Sequence, residues 1–221
     1  MKNVKLVIFD MDGLIFDTER LSYEAWKEAA DKFDIYFDLN LHYKLLGTNH
    51  ESVRRTLDNE FGSKVNLDDY IMERNNIYMA KILNGEVKKK KGVDKLLKYL
   101  TEKNIKRAVA TSSNRELATK ILKEANIYDY YDYVLCGDEV TKSKPNPEVF
   151  LKVAEKLDVP SEECIVLEDS EAGTIAASRA RMTTIIIPDL KEPNEDIERL
   201  AFKKVRNLEE VIDVVEKLHK A

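Results

Sequence analysis

The sequence has little of what several classes of protein require. Only two cysteines, Cys136 and Cys164, occur among its 221 residues, and they lie far apart without the spacing of metal ligands. A disulfide scaffold and a zinc site are therefore not expected, and a reducing cytoplasm is the expected compartment. No apolar run approaches the roughly 18 residues that a membrane span needs, so we expect no membrane association.

Positive charge is not in excess either. The chain has 36 Lys+Arg against 41 Asp+Glu, a formal net charge of −5, and most of its basic residues are interleaved with acidic ones. Nucleic-acid-binding proteins usually carry a basic patch or stripe, so nucleic acid is not an expected partner. The exception is the lysine run at residues 88–91, which we interpret as a solvated hinge or loop.

Five short apolar runs indicate a parallel β-sheet. Continuous rather than alternating hydrophobicity is typical of strands that are buried on both faces. Helical patterns at residues 114–125, 147–157 and 170–179 separate several of the runs, so the expected fold is α/β with a doubly wound parallel sheet. The apolar runs are residues 6–9, 108–110, 133–136, 164–167 and 184–187.

The alternation is interrupted at residues 17–86, where helical patterns occur at 21–33, 50–61 and 67–83. We interpret this region as an α-helical insertion in a core formed by residues 1–16 and 87–221, with Tyr70, Tyr78 and Met79 packing a small bundle. The insertion holds 9 Lys+Arg and 14 Asp+Glu. The net negative charge of the chain therefore belongs to the insertion.

Polar side chains follow the strand runs. Asp10 and Asp12 come after the first run, Thr111 after the second, and Glu168 and Asp169 after the fourth. Ligands of open α/β sheets bind beyond the carboxyl ends of the strands. We therefore expect these residues at one edge of the sheet, near the loop that carries Lys144.

Gathered carboxylates need a counter-ion. At about 4 Å and an effective dielectric constant near 20, two unit negative charges repel by roughly 4 kcal/mol. A divalent cation held by Asp10, Asp12 and Asp169 would offset this repulsion, and oxygen ligands without His or Cys indicate Mg²⁺. Mg²⁺ beside Lys144 and small hydroxyls is typical of a site for a phosphoryl group.

Each of these residues also has a simpler interpretation. Asp10 and Asp12 could belong to a turn, Thr111 could cap the next helix, and Lys144 could be a solvated loop lysine. Glu168 and Asp169 could likewise be capping residues. Their joint occurrence at successive strand ends favours a functional site.

The sequence DMDGLIFDTE at residues 10–19 resembles the first motif of the haloacid dehalogenase-like phosphohydrolases. Thr111, Lys144 within SKPNP, and the EDS sequence at residues 168–170 resemble the family's other three motifs, in the same order. The resemblance covers nearly the whole chain. It implies a Rossmann-like core, and it identifies residues 17–86 with the family's small helical cap.

The resemblance implies a role for each core residue. Asp10 is expected to be the nucleophile that forms an aspartyl-phosphate, and Asp12 the general acid and base. Thr111 is expected to bind a phosphoryl oxygen, and Lys144 to neutralise the transferring group. Ser112, Ser113 and Asn114 are expected to contact the phosphate.

The resemblance also implies a Mg²⁺ site. Asp169, the Asp10 side chain and the backbone carbonyl of Asp12 are the expected ligands. Glu168 is expected to be an accessory ligand or to support one.

Within the family, the chain looks closest to β-phosphoglucomutase and the small sugar-phosphate phosphatases. The loop that begins at Gly47 looks like the mutases' substrate loop, but it has His50 where they carry Arg, and Ser22 stands where they carry His. A neutral imidazole does not replace a bidentate guanidinium, although Arg74 could supply some of the charge. We therefore expect a phosphatase of a small phosphorylated metabolite, such as a sugar monophosphate, with the mutase as the alternative.

Two other classes remain open. A signalling receiver domain uses Mg²⁺, an acceptor Asp, a Thr and a Lys on a similar sheet, but it leaves Asp12 and the insertion unexplained. A catalytically silent phosphate-binding module is compatible with the fold, because fold does not fix function. The sequence predicts no oligomeric state.

Overall fold

The structure, a computed structural model, describes residues 4–46 and 50–220, with the side chains of residues 50, 219 and 220 excepted. It divides into two compact units. The sheet unit comprises Met1–Asp17 and Lys89–Ala221, and the helical unit comprises Thr18–Lys88. These bounds lie one residue and two residues from those expected for a core and its insertion.

The sheet unit contains six parallel strands in the order β3-β2-β1-β4-β5-β6. The order reverses direction between β1 and β4, which is the switch point where doubly wound sheets bind ligands. The predicted fold class is therefore confirmed. The strands are β1 (Leu6–Phe9), β2 (Lys106–Ala110), β3 (Tyr133–Leu135), β4 (Cys164–Glu168), β5 (Thr183–Ile186) and β6 (Lys203–Lys204).

The central strands are apolar along their length because both faces of the sheet are covered. Every residue of β1 and β4 is buried. The α-helices within the described residues are α1 (Thr18–Lys32), α2 (Leu39–Leu45), α3 (His50–Phe61), α4 (Leu67–Leu83), α5 (Val93–Glu102), α6 (Arg115–Glu124), α7 (Glu148–Lys156), α8 (Glu171–Arg179), α9 (Glu195–Glu198) and α10 (Leu208–Lys220). Of these, α7 packs on β1, β2 and β3, α8 packs on β4 and β5, and α5 packs on β2 and α10.

The two points where the sheet unit gives way to the helical unit lie side by side. Phe16 and Lys89 form an antiparallel bridge, and Phe16 also bridges Asp12. The amide of Lys90 donates to the carbonyl of Ile15 over 2.8 Å. These contacts form a short two-stranded clasp next to the loop that follows β1.

The helical unit consists of α1 to α4 around an aromatic core. Trp26 stacks on Phe37, and the hydroxyl of Tyr70 donates to the carbonyl of Trp26 over 3.1 Å. Tyr70 is fully buried, as the packing interpretation predicts, whereas Met79 is 39% exposed. The packing prediction is thus wrong for Met79, because that residue lies on the solvent side of α4. Among the described residues, no helix combines the length and the apolar character that crossing a membrane requires.

Candidate active site

Three strands of the sheet unit end at the same place. The loop after β1 carries Asp10 and Asp12, β2 is followed by Thr111, and β4 ends at Glu168. In-register parallel pairing of β1 with both β2 and β4 aligns these ends. The predicted convergence of Asp10, Asp12, Thr111 and Glu168 at one edge is what the strand register produces.

Lys144 lies between two carboxylates. Its Nζ donates to Asp10 Oδ1 over 2.5 Å, to Glu168 Oε1 over 2.6 Å and to the carbonyl of Ala110 over 3.1 Å. The side chain of Lys144 is 8% exposed, that of Asp10 10% and that of Glu168 0%. Lys144 is therefore a buried, fully engaged cation, and the alternative of a solvated loop lysine is wrong.

Burial and charge act in opposite directions on this group. Burial raises the pKa of Asp10, and the neighbouring Glu168 and Asp12 raise it further, while Lys144 lowers it. Burial alone would lower the pKa of Lys144, but the two carboxylates outweigh burial and the pKa rises. One cation thus faces more negative charge than it can neutralise, and the cluster favours the arrival of further positive charge.

Asp12 is held by the loop after β2. Thr111 Oγ1 donates to Asp12 Oδ2 over 3.1 Å, and Ser113 Oγ donates to the same oxygen over 2.8 Å. The amide of Ser113 in turn donates to Thr111 Oγ1 over 3.0 Å. The orientation of the Asp12 carboxylate is therefore fixed by two hydroxyls that are themselves fixed.

Two glycines make room for carboxylates. Gly13 has φ +80°, and a Cβ on it would collide with the carboxylate of Asp169. A Cβ on Gly173 would collide with the carboxylate of Glu168, which also accepts the amide and the hydroxyl of Ser170, the residue that caps α8. Side chains at these two positions would displace the acidic groups from the strand ends.

The acidic groups fit a metal ion. One carboxylate oxygen from each of Asp10, Glu168 and Asp169 lies within 4.8 Å of the other two. All of the donors are oxygen atoms, which suits Mg²⁺. The Asp12 carboxylate is not one of this group, since it accepts the hydroxyls described above. This leaves the backbone carbonyl as the group that Asp12 could offer.

The residues that follow Thr111 make different contacts. Asn114 Oδ1 accepts the amide of Leu117 over 2.9 Å and caps α6, so the capping role falls to Asn114 and not to Thr111 or Ser113. Ser112 is exposed, and its carbonyl leaves no space for a side chain at Gly137. A phosphate contact by Ser112, Ser113 and Asn114 stays a prediction.

The helical unit contains a half-buried cation, Arg74. The guanidinium carbon of Arg74 lies 4.9 Å from the ring centroid of Trp26 and 4.6 Å from that of Tyr78. Arg74 Nη2 donates to Ser22 Oγ over 2.5 Å, and Nη1 donates to Asn75 Oδ1 over 3.1 Å. Its Nε is buried and has no hydrogen-bond partner in residues 4–46 and 50–220, and burial lowers the pKa of the guanidinium.

Two other predicted residues fall where little is described. Gly47 lies outside the described residues. His50 begins α3, but its side chain is not described.

The sequence prediction missed the pair formed by Lys90 and Asp189. Lys90 belongs to the lysine run that was interpreted as solvated, yet its Nζ donates to the carboxylate of Asp189, a side chain only 7% exposed. The interpretation of Lys90 as solvated is therefore wrong. A signal for the position of Asp189 was present, because Asp189 follows β5 closely and the carboxyl ends of all parallel strands share one edge. No signal placed Lys90 beside it.

Comparison with known proteins agrees with this geometry. The family described as "Haloacid dehalogenase-like hydrolase" matches residues 7–187. A phosphorylated carbohydrates phosphatase of Thermotoga maritima is 30% identical over 217 residues, which is 97% of this chain and 100% of that protein. The β-phosphoglucomutase of Bacillus subtilis is 32% identical over 190 residues, 82% of each chain.

The crystal structure of a β-phosphoglucomutase from Clostridium difficile superimposes with a TM-score of 0.77 at 28% identity, and covers 98% of this chain and 97% of that one. Sequence and structure thus agree over almost the entire length. The chain belongs to the haloacid dehalogenase-like hydrolase family.

Proposed function

We propose that this protein is a Mg²⁺-dependent phosphatase, a phosphoric monoester hydrolase acting on a small phosphorylated metabolite, with a sugar monophosphate as the substrate class. The observation that carries the proposal is the buried group of Asp10, Lys144 and Glu168 beside the hydroxyl-held Asp12. This arrangement supports the proposal, because a carboxylate, a cation and a second carboxylate at the ligand-binding edge of the sheet are the groups that such a reaction would use as nucleophile, charge-neutralising group and general acid. A cytoplasmic location remains a prediction.

In the proposed reaction, Asp10 attacks phosphorus in line. A bond forms between an Asp10 carboxylate oxygen and phosphorus, and the bond from phosphorus to the substrate oxygen breaks. Lys144, in contact with Asp10 Oδ1, orients the nucleophile and offsets negative charge on the transferring group. Thr111 would bind a phosphoryl oxygen through its hydroxyl, since its backbone amide already donates to the carbonyl of Leu135 over 3.1 Å.

Asp12 moves the protons. It donates a proton to the departing alkoxide, and in the second step it takes a proton from the water that cleaves the aspartyl-phosphate. The hydroxyls of Thr111 and Ser113 hold its Oδ2. Once the Thr111 hydroxyl turns to the phosphoryl oxygen, Ser113 keeps the carboxyl group of Asp12 in this orientation through both steps.

Mg²⁺ would be held by the carboxylates of Asp10 and Asp169 and by the backbone carbonyl of Asp12. Glu168 would support them, since Lys144 and Ser170 already engage its carboxylate. When bound, the ion would neutralise phosphoryl charge. Its removal by a chelator should abolish turnover, and added Mg²⁺ should restore it.

The helical unit would act as the cap that selects the substrate. Arg74 carries a half-buried positive charge, and its buried Nε has no hydrogen-bond partner among the described residues, which suits an anionic or hydroxyl-rich ligand. Gly47 and His50 are proposed to contact the same ligand. The T. maritima relative named for phosphorylated carbohydrates supports a sugar phosphate as the substrate.

A phosphosugar mutase is the second candidate, because the B. subtilis β-phosphoglucomutase is 32% identical. In a mutase the phosphoryl group on Asp10 passes to a second hydroxyl of the substrate instead of to water. We favour the phosphatase because position 50, where the mutases carry Arg, is His.

The test is a panel of sugar, polyol and nucleoside monophosphates with Mg²⁺, followed by ³¹P NMR. We expect inorganic phosphate from at least one sugar phosphate, and none in EDTA. β-Glucose 1-phosphate with a bisphosphate primer separates the two candidates. Conversion to glucose 6-phosphate without inorganic phosphate would establish the mutase, and no reaction across the panel would favour a silent binding module.

A further inference from the structure

The ion pair of Lys90 and Asp189 is anchored on both sides within the sheet unit. Asp189 follows β5, and one of its carboxylate oxygens, Oδ1, accepts Lys90 Nζ. The backbone amide of Lys90 is tied to Ile15 in the clasp over 2.8 Å. Both partners are therefore fixed near the loop that follows β1, and not merely paired at a surface.

The other oxygen of Asp189 has no such partner. Oδ2 is buried and makes no hydrogen bond within residues 4–46 and 50–220. Buried carboxylate oxygens in folded proteins are almost always hydrogen-bonded. An unpaired one that persists in a charged neighbourhood calls for a functional explanation.

The unpaired oxygen faces the proposed metal site. A Cβ placed on Gly13 would lie 3.3 Å from Asp189 Oδ2, and it would overlap Asp169 Oδ2. Carboxylate oxygens from the ends of two neighbouring strands, β4 and β5, thus converge on Gly13. Asp169 is one of the proposed metal ligands, so the carboxylate of Asp189 lies next to a proposed ligand.

The charges near Asp189 also bear on the proposed metal site. Burial raises the pKa of Asp189, Lys90 lowers it, and the negative charge of Asp17 raises it again. The carboxylates of Asp169 and Asp189 approach the same point at Gly13. Negative charge placed next to a ligand carboxylate strengthens the attraction for a divalent cation.

We propose that Asp189 is a positioning residue of the metal site, which raises its affinity for Mg²⁺ by placing a carboxylate behind Asp169. Lys90 holds this carboxylate in place and moderates its charge. The proposal rests on the proposed function, because that function supplies the metal. It adds a residue from the loop after β5 to a site otherwise built from the ends of β1 and β4.

The test compares substitutions of the two members of the pair, because the proposal predicts opposite effects on Mg²⁺ binding. Asp189→Asn removes the negative charge at nearly constant volume and should weaken Mg²⁺ binding by about tenfold, the size typical of residues that support metal ligands. Lys90→Met removes the opposing charge and should leave Mg²⁺ binding as tight as in the wild type or tighter. An ion pair that served stability alone would respond to both substitutions in the same direction.

The measurement is the Mg²⁺ dissociation constant by isothermal titration calorimetry, with melting temperatures of the metal-free proteins to verify folding. Glu163→Gln is the matched control, since Glu163 pairs with Lys5 over 2.8 Å just before the starts of β4 and β1. It should change Mg²⁺ affinity by less than about twofold. Mn²⁺ binding by electron paramagnetic resonance, with Lys90→Gln as a second variant, repeats the comparison if Lys90→Met folds poorly.

Unchanged Mg²⁺ affinity in Asp189→Asn would overturn the proposal, and so would equal weakening in both variants of the pair. A wild-type protein that binds no Mg²⁺ would remove the metal site itself. A wild-type protein that binds Mg²⁺, shows the Asp189→Asn effect and yet hydrolyses no phosphate ester would leave this inference standing and remove only the proposed phosphatase.

Discussion

The sheet unit contains the buried cation Lys144 and the helical unit the half-buried cation Arg74, and the surroundings of the two differ. Lys144 in the sheet unit contacts two carboxylates, Asp10 and Glu168, at 2.5 and 2.6 Å. Arg74 in the helical unit is placed between the rings of Trp26 and Tyr78. Among the described residues, no carboxylate forms an ion pair with Arg74.

The difference indicates two uses of positive charge. The charge of Lys144 is offset by the protein's own carboxylates, so Lys144 would orient the groups that are proposed to react. Aromatic faces attract a guanidinium without neutralising it, and although the negative charge of Glu19 also acts on Arg74, we propose that its charge serves to bind an anion. The sheet unit would accordingly carry out the reaction, and the helical unit would bind the substrate. Substitutions in each unit can distinguish these two roles.

Asp10→Asn should have the largest effect. It removes the proposed nucleophile at nearly constant volume, and loss of a nucleophile typically lowers kcat by at least about 10⁴-fold. Steady-state phosphate release measures the loss, and the melting temperature should stay near that of the wild type. Substantial turnover in a preparation free of wild-type protein would exclude the covalent route.

Lys144→Met should damage both activity and stability. We expect kcat to fall roughly 10²- to 10³-fold. We also expect the free energy of unfolding to fall by about 3–5 kcal/mol, because Asp10 and Glu168 would be left as buried charges without their partner. Urea unfolding and phosphate release measure the two effects. A variant as stable as the wild type would show that the buried carboxylates do not depend on this lysine.

Arg74→Met should affect recognition more than chemistry. Loss of an ion–anion contact is worth about 1.5–3 kcal/mol, so KM for the best substrate should rise roughly tenfold to a hundredfold with little change in kcat. Arg74→Lys keeps the charge and serves as the control. If kcat fell as steeply as in Lys144→Met, the division between the two cations would be wrong.

The smallest effect concerns the pH dependence of the helical unit. His42 is 1% exposed, and burial lowers its pKa to about 4, with Arg74 adding to the shift. The unfolded chain therefore binds a proton below about pH 6.5 that the folded unit excludes, so stability falls as the pH falls from 6.5 towards 4. Between pH 7.5 and 5.5 the loss should be roughly 1 kcal/mol.

Trp26 provides the measurement, since it is the single tryptophan of the chain and lies in the aromatic core of the helical unit. Urea unfolding followed by its fluorescence at both pH values should show the loss in the wild type. His42→Phe should show a smaller loss, because the titrating group is gone. An identical pH dependence in both proteins would assign the effect to other groups.

The strands and motif residues were predictable because each carries a local signal. A buried strand is apolar along its length, and the polar residues that follow it mark the ligand-binding edge. The edge strand β6 was missed because it consists of two exposed lysines, Lys203 and Lys204. The seven-residue helix α2 was missed because it spans barely two turns, too few to show a periodicity.

The site was predictable in its residues but not in its contacts. The sequence predicts that Lys144 lies near the carboxylates of the site. It does not predict that Lys144 donates to both Asp10 and Glu168. No local pattern links Lys90 to Asp189, which are 99 positions apart. The two residues meet because the clasp lies next to the loop that follows β5. Pairing of this kind depends on tertiary structure, and no pattern along the chain reports it.

The clasp between Phe16 and Lys89 has a consequence for how such a protein changes over time. Because the chain leaves and re-enters the sheet unit at neighbouring positions, the segment between them behaves as an interchangeable module. A replacement of different length or shape needs only two closely spaced ends. Evolution or an engineer could thus exchange the proposed recognition module for one with a new substrate range, while every residue of the proposed reacting group stays in place.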